Sequence, residues 1–297
     1  MTNCSHLPFN PKLKMKTPAR LLPLVEEGLI DDVIRQLMSG KEATVYVVRC
    51  GDDVRCAKMY KEANQRSFRQ AVQYTEGRRV KNSRRARAMD KGSRFGRAQM
   101  EDAWQSAEVD ALYRLAAAGV RVPKAYNFLN GVLIMELVTD AEGNAAPRLN
   151  DVVLTEAKAH EYHAMLIRQV VLMLCAGIIH GDLSEYNVLV SGEGPVIIDL
   201  PQAVDAAGNN SAERLLERDI LNLAIWFGRF APELLTTDYG GEIWSLYKSG
   251  KLRPDSVLTG RFARNQKRAD VGGVIREIKD VIKAEAEKQR YKQSIDQ

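Results

Sequence analysis

Cysteine is scarce in this chain: Cys4, Cys50, Cys56 and Cys175 are the only four in 297 residues. That is too few for a disulfide scaffold. Cys50 and Cys56 have five residues between them and no second pair follows, so the spacing of a zinc site is absent as well. A reducing, cytoplasmic home is the simplest expectation. Long apolar runs are also missing. The longest, Val170 to Ile179, has ten residues, half of the roughly 20 needed to span a bilayer. Lys12, Lys14 and Lys16 are followed by no apolar segment of the signal-peptide type, so neither a leader of that kind nor a membrane partner is expected. Internal repeats and low-complexity tracts are lacking too.

What is present is an ordinary globular composition, 45% hydrophobic and 27% charged, which excludes collagen, coiled coil and wholesale disorder. The length suits two domains or one bilobal one. A chain of this size buries roughly three quarters of its unfolded surface. The net charge of +5 is unevenly spread: residues 77–97 hold nine basic groups and one acid, a net +8, so everything else sums to −3.

Residues 1–20 contain Pro8, Pro11 and Pro18 with little apolar pattern and read as a loose leader. Leu24 to Met38 places Leu29, Ile30, Val33, Ile34 and Leu37 at helical spacing, with Gly28 weakening the first turn. The period then changes to two. Thr44–Arg49 and Val54–Met59 flank Gly51-Asp52-Asp53 as a hairpin. The basic stretch 77–97 reads as a loop, Glu101–Ala118 as a helix and Val132–Leu137 as a buried strand. Residues 142–147 form a linker-like break, a candidate lobe boundary. A helix over 155–177, a hairpin over 188–199 and further helices complete the order. This is an α+β arrangement with a β-rich N-lobe (21–140) and a helical C-lobe (141–260). A charged tail over 261–297 carries ten basic and six acidic groups and an apolar stripe of Val274, Ile278, Val281 and Ile282.

The chemistry concentrates in His180-Gly-Asp-Leu-Ser-Glu-Tyr-Asn187, which runs into Val188-Leu-Val, a turn over 191–195, and Val196-Ile-Ile-Asp199. If Val190 pairs with Val196, Asn187 faces Asp199 at about 5 Å between Cβ atoms. An amide oxygen and a carboxylate at that distance can share a hard cation such as Mg²⁺. Asp182, on the loop into the same hairpin, is placed to accept a proton from an attacking hydroxyl or to orient it. Each residue alone could be making only a local turn bond. Together, Asp-Leu-x-x-x-Asn matches a phosphotransferase catalytic loop. Lys58 lies inside an apolar strand and needs an anion, plausibly nucleotide phosphates and a helix glutamate, Glu108 or Glu101. A snorkelling edge lysine is the alternative. Ser39, Gly40 and Lys41 precede the first strand of that hairpin, where a phosphate-covering loop would sit, although one glycine makes a poor Gly-rich loop.

Four segments, Ser-Gly-Lys-Glu-Ala-Thr-Val-Tyr (39–46), Ala-Lys-Met-Tyr-Lys (57–61), His-Gly-Asp-Leu-Ser-Glu-Tyr-Asn (180–187) and Ile-Ile-Asp-Leu-Pro-Gln (197–202), resemble the RIO family of atypical protein kinases. The resemblance runs over about 35–230 and fits the branch without an N-terminal winged helix. It implies a reduced, bilobal protein-kinase-like fold that binds ATP and Mg²⁺ between its lobes and phosphorylates serine or threonine of a protein substrate, itself included. By motif position Lys58 contacts phosphates and Glu108 pairs with it. Met135, Glu136 and Leu137 form the hinge beside adenine. Asp182 is the catalytic aspartate, and Asn187 and Asp199 are metal ligands. Asp199 is also a candidate aspartyl-phosphate site, which would make the protein a slow ATPase. Ala231-Pro-Glu233 spells the end of a kinase activation loop, but the adjoining Leu215–Phe227 helix makes that a coincidence.

Two other classes stay open on sequence. Aminoglycoside-type small-molecule phosphotransferases share the His-Gly-Asp…Asn…Asp pattern. The basic loop could bind RNA or a ribosomal particle in a nucleotide-gated switch, and would do so salt-dependently. His160 and His163, three apart on a helix, could share a metal, though a solvent or core role is the plainer reading.

Overall fold

Thr44–Arg49 and Val54–Met59 do form a hairpin, and it is the centre of a five-stranded antiparallel sheet ordered β1-β2-β3-β5-β4. The strands are β1 (Asp32–Ser39), β2 (Ala43–Cys50), β3 (Asp53–Tyr60), β4 (Ala125–Leu129) and β5 (Val132–Glu136). This computed structural model describes residues 15–40, 42–61 and 107–263. These belong to a compact unit, Met1–Phe262, except Ala263, which opens a second unit, Ala263–Gln297. The basic stretch 77–97, Lys41, Glu101 and the Val274–Ile282 stripe lie outside the described residues.

Both tight hairpins follow from residues that tolerate left-handed backbone. Gly51 at φ 62° starts the two-residue turn that puts Cys50 opposite Asp53. Asn130 (φ 50°) and Gly131 (φ 72°) close β4 onto β5 as an Asn-Gly turn, both central residues at positive φ. On β3 the side chains alternate. Ala57 and Met59 pack with Leu21, Leu24 and Ile30 of the N-terminal segment, whereas Tyr60, on the other face, joins the main core. Lys58 shares that inner face with Tyr60.

The helix expected over Leu24–Met38 is a correction. A short α1 (Leu22–Glu26) ends at Gly28, φ 70°, and β1 follows. Two register shifts in the β1–β2 pairing, at Val33/Arg35 and Gln36/Met38, break the two-residue alternation. A strand bulged twice in eight residues spaces its apolar side chains much as a helix does. That spacing, with β-branched Val33 and Ile34, produced the false period.

Helix α2 (residues 107–117) precedes β4, and the helical half begins with α3 (Glu156–Cys175). Thr155 caps α3 by accepting from Lys158 N at 3.3 Å, and Gly177 at φ 74° terminates it. The strand β6 (Ile178–Ile179) pairs with β9 (Val204–Asp205), and β7 (Val188–Ser191) pairs with β8 (Gly194–Ile197). Helices α4 (Ala212–Phe227) and α5 (Tyr239–Lys248) close the lobe. Leu166, Leu174, Leu183, Val188, Ile197, Leu223 and Phe227, all fully buried, knit α3, α4 and the β7–β8 hairpin into one core. Asn209 accepts from Ser211 N (2.8 Å) through its side chain and from Ala212 N through its carbonyl, starting α4. Ala231-Pro232-Glu233 begins a 3₁₀ turn, Pro232–Thr236.

The β7–β8 register also corrects the sequence reading. Val190 pairs with Pro195 and Leu189 with Val196, around a two-residue turn at Gly192-Glu193. The pairing is one residue out from the expected one, so Asn187 stands opposite Ile198, whose N–H donates to its carbonyl at 3.0 Å.

Candidate active site

Lys58 points inward from β3 and is buried, 8% exposed. Its Nζ donates to Glu108 Oε1 of α2 at 2.7 Å and to Asp199 Oδ1 at 2.9 Å. Burial alone would push its ammonium down, but Asp199 and then Glu108 reverse this and hold it well above the ordinary lysine range. Glu108 is 2% exposed, and Tyr60 donates its hydroxyl to the second oxygen, Oε2. Glu108 thus has each carboxylate oxygen matched to a donor, as an ion removed from water requires.

Asp199 lies one residue past the Asn187–Ile198 step, yet it reaches the site. Its backbone is left-handed, φ 67°, a conformation that non-glycine residues adopt at a cost. The Lys58 charge and hydrogen bond, against the opposing effect of burial, hold its carboxyl below the usual range, with His180 and Arg148 contributing. Asn187, 9% exposed, donates Nδ2 to the Asp182 carbonyl at 2.8 Å. That bond leaves Oδ1 as its acceptor atom for a cation. An amide oxygen and an ionised carboxylate are hard donors, and they fit Mg²⁺ with its preference for few protein oxygens plus phosphate.

Asp182 sits on a loop that α4 grips by its backbone. Asp219 accepts from Gly181 N at 2.7 Å and from Leu183 N at 3.0 Å. Arg218 donates to the Gly181 carbonyl, and Asn222 Nδ2 donates to the Leu183 carbonyl at 3.0 Å. Both peptide groups flanking Asp182 are therefore fixed. Gly181 takes φ 81°, so a glycine suits this place. His180 completes the brace from the other side. Its Nδ1 accepts from Asp182 N at 3.3 Å, and its Nε2 lies 3.0 Å from the Ile198 carbonyl. Those partners select the tautomer protonated on Nε2, and burial lowers the imidazole pKa. Burial raises the Asp182 carboxyl, with His180 and Arg218 opposing. Asp219, almost wholly buried, is pushed up to about 7 by burial against its two N–H bonds.

The remaining expected residues fall around this centre. Ser39 Oγ lies 3.2 Å from Thr44 Oγ1, Gly40 N donates to the Ala43 carbonyl at 2.9 Å, and the Gly40 carbonyl accepts from Lys61 at 2.6 Å. Ser39 and Gly40 are thus held by one backbone bond and by the side chains of Thr44 and Lys61. Met135 and Glu136 end β5, and Leu137 is the first residue beyond it. Glu136 Oε2 accepts from Lys124 N at 3.1 Å. His160 and His163 do not converge. His160 pairs with Glu233, beside Glu156. His163 turns into the core against Phe227 and Tyr239, at ring separations of 5.5 and 5.6 Å.

A lysine held between a helix carboxylate and a metal-type aspartate, above an Asp…Asn loop, is a protein-kinase arrangement. A family model, the RIO domain, matches residues 44–239. The chain belongs to the RIO family. It is 38% identical over 215 residues to the RIO-type serine/threonine-protein kinase Rio1 of Haloferax volcanii, covering 72% of this chain and 69% of that protein. It is 30% identical over 223 residues to the fission-yeast (Schizosaccharomyces pombe) serine/threonine-protein kinase rio1 and 29% over 226 residues to human RIO1. Those matches cover 73% and 75% of this chain but only 42% and 38% of the two longer proteins. The crystal structure of the Rio2 kinase from Chaetomium thermophilum is similar in fold, with a TM-score of 0.51 at 21% identity, covering 88% of this chain and 76% of that one.

Within this RIO chain, sequence reasoning missed Tyr60, Arg148, Asp219 and Asn222. Nothing in the sequence joined Asp219 to a loop 36 residues upstream.

Proposed function

We propose that the chain is an ATP- and Mg²⁺-dependent protein kinase that transfers the terminal phosphoryl group to serine or threonine. The observation that carries the reading is the single ammonium of Lys58 shared by Glu108 and Asp199, next to the clamped Asp182 loop. Lys58 binds phosphate oxygens, and Glu108 keeps it aimed. Asp182, with its carboxyl basicity raised by burial, takes the acceptor hydroxyl proton as the oxygen attacks phosphorus and the bond to ADP breaks. Asn187 Oδ1 and Asp199 would hold Mg²⁺, which screens charge on the phosphates when bound. Ser39, Gly40 and Lys41 cover the phosphates, and the segment Met135, Glu136, Leu137 lies beside adenine. Family membership favours this over a small-molecule phosphotransferase.

Incubation with γ-labelled ATP and Mg²⁺, beside Asp182→Ala and Asp199→Ala, tests the reading. Label on the wild type and on neither variant is expected. Acid-stable, hydroxylamine-resistant label marks serine or threonine esters, whereas hydroxylamine-labile label marks an aspartyl-phosphate on the ATPase route. A wild type that stays unlabelled with every protein acceptor overturns protein phosphorylation. The net +8 segment 77–97 supports contact with RNA phosphates or a ribosomal particle, read as a salt-dependent shift of labelled RNA.

A further inference from the structure

Arg49, Arg55 and Arg121 are each paired with a carboxylate, Asp32, Asp53 and Glu193 in turn. Arg148 is not. It is half-buried, and its one side-chain hydrogen bond among the described residues runs from Nη2 to the thioether sulfur of Met38. A guanidinium has five N–H donors, and a thioether is a weak acceptor. A partly desolvated cation with so poor a partner is completed by an anion.

The position of Arg148 indicates which anion. Its backbone is stitched to β7: Val190 N donates to the Pro147 carbonyl at 2.8 Å, and Arg148 forms an antiparallel bridge with Leu189. Leu189 is two residues after Asn187. From there the side chain reaches Met38, the residue before Ser39 and Gly40 at the end of β1. The span therefore joins the hairpin of the metal-type residues to the turn over the phosphates. The charge balance points the same way. Lys58 is already matched by Glu108 and Asp199, and Asp182 adds a further negative group, so an incoming polyphosphate gains from a second cation beside Lys58.

We propose that Arg148 binds the terminal phosphate of the bound nucleoside triphosphate, leaving Met38 to do so. Lys58, deep beside Glu108, serves the inner phosphates. Arg148 is anchored by its backbone to the Asn187 hairpin, on the side where Asp182 receives the acceptor. Its planar fork takes two phosphate oxygens at once. This inference rests on the nucleotide-site reading above.

The test is calorimetric binding of MgATP and MgADP to full-length wild type, Arg148→Met, Arg148→Lys and Met38→Leu, each checked for folding by thermal melting. Arg148→Met is expected to weaken MgATP at least tenfold and MgADP less than threefold. Arg148→Lys should recover part of the loss, and Met38→Leu should bind both as the wild type does. Equal losses for the two nucleotides assign Arg148 to inner phosphates or to lobe packing and overturn the proposal. Unchanged binding of both by Arg148→Met and Arg148→Lys also overturns it, while a wild type that binds neither nucleotide overturns the reading beneath it. Should Arg148→Met not fold, the ATP-to-ADP affinity ratio of Arg148→Lys decides: unchanged from wild type is against the proposal, reduced is for it.

Discussion

Asp199 reaches Lys58, 2.9 Å from Nζ to Oδ1, although it is Ile198 and not Asp199 that stands opposite Asn187 on the hairpin. The left-handed backbone at Asp199 accounts for the difference. Leaving the ladder one residue late and turning through positive φ brings the carboxylate to Lys58. A regular continuation of the strand would alternate it to the other face. Local strain is thereby placed on the carboxylate that meets Lys58 from the end of the hairpin.

Lys58 and Glu108 form a buried pair, so removing one partner strands the other. Lys58→Met should abolish phosphoryl transfer and destabilise the fold by about 3–5 kcal/mol. Lys58→Met combined with Glu108→Gln should recover most of that stability and none of the activity, because the neutral amide still accepts from Tyr60 without carrying a charge. Urea unfolding of the single and double variants measures this. A double variant no more stable than Lys58→Met would show that Glu108 is not the stranded charge.

Much of the site could be read from sequence because its residues lie in short, chemically unusual segments: a lysine in an apolar strand, and Asp182, Asn187 and Asp199 within eighteen positions. The two lobes were legible for the same reason, as a period of two gives way to long apolar helices. What was not legible depended on contacts across the chain or on a departure from ideal period. The bulges of β1 disguised it as a helix. The two-residue turn at Gly192-Glu193 shifted the hairpin register by one. Asp219 and Arg148 acquire their meaning only when α4 meets the 181–183 loop and when residue 148 docks on β7.

Tyr60 is fully buried and donates to Glu108. Burial, then the Glu108 charge, raises its phenol well above the ordinary range, so the hydroxyl remains a donor at any working pH. Tyr60→Phe removes one of two donors from a carboxylate without access to water. The expected cost is about 1–3 kcal/mol of stability, together with weaker MgATP binding as Lys58 loses its fixed partner. Thermal melting and calorimetry report the two effects. Wild-type values for both would show that Lys58 alone suffices to hold Glu108.

Asp219 accepts from two backbone N–H groups that can only donate. Asp219→Asn has one oxygen for the two, so its amide group must turn toward a second donor. The loop under Asp182 should shift, and misplacement of that size costs on the order of 10²-fold in kcat. Binding of MgATP should stay near wild type, because Lys58, Glu108 and Asp199 are untouched. Single-turnover labelling against nucleotide affinity separates the two. Parallel losses in both would make Asp219 a general core residue.

His163 is buried, 2% exposed. Its Nε2 has no hydrogen-bond partner among the described residues. Burial, with His160 adding to it, lowers its pKa to about 4 from 6.5. The folded protein therefore keeps this imidazole neutral, while the unfolded chain takes up a proton below about pH 6.5. The unfolded state binds more protons between those values, so stability is full above pH 6.5 and falls as pH drops toward 4. A displacement of that size corresponds to about 3 kcal/mol. His163→Leu, similar in volume and without a polar atom to desolvate, should flatten that part of the stability profile and raise the melting temperature at pH 5. Urea midpoints from pH 4 to 8 make the comparison. A His163→Leu profile parallel to wild type would assign the acid sensitivity to other groups and leave His163 a mere packing residue against Phe227.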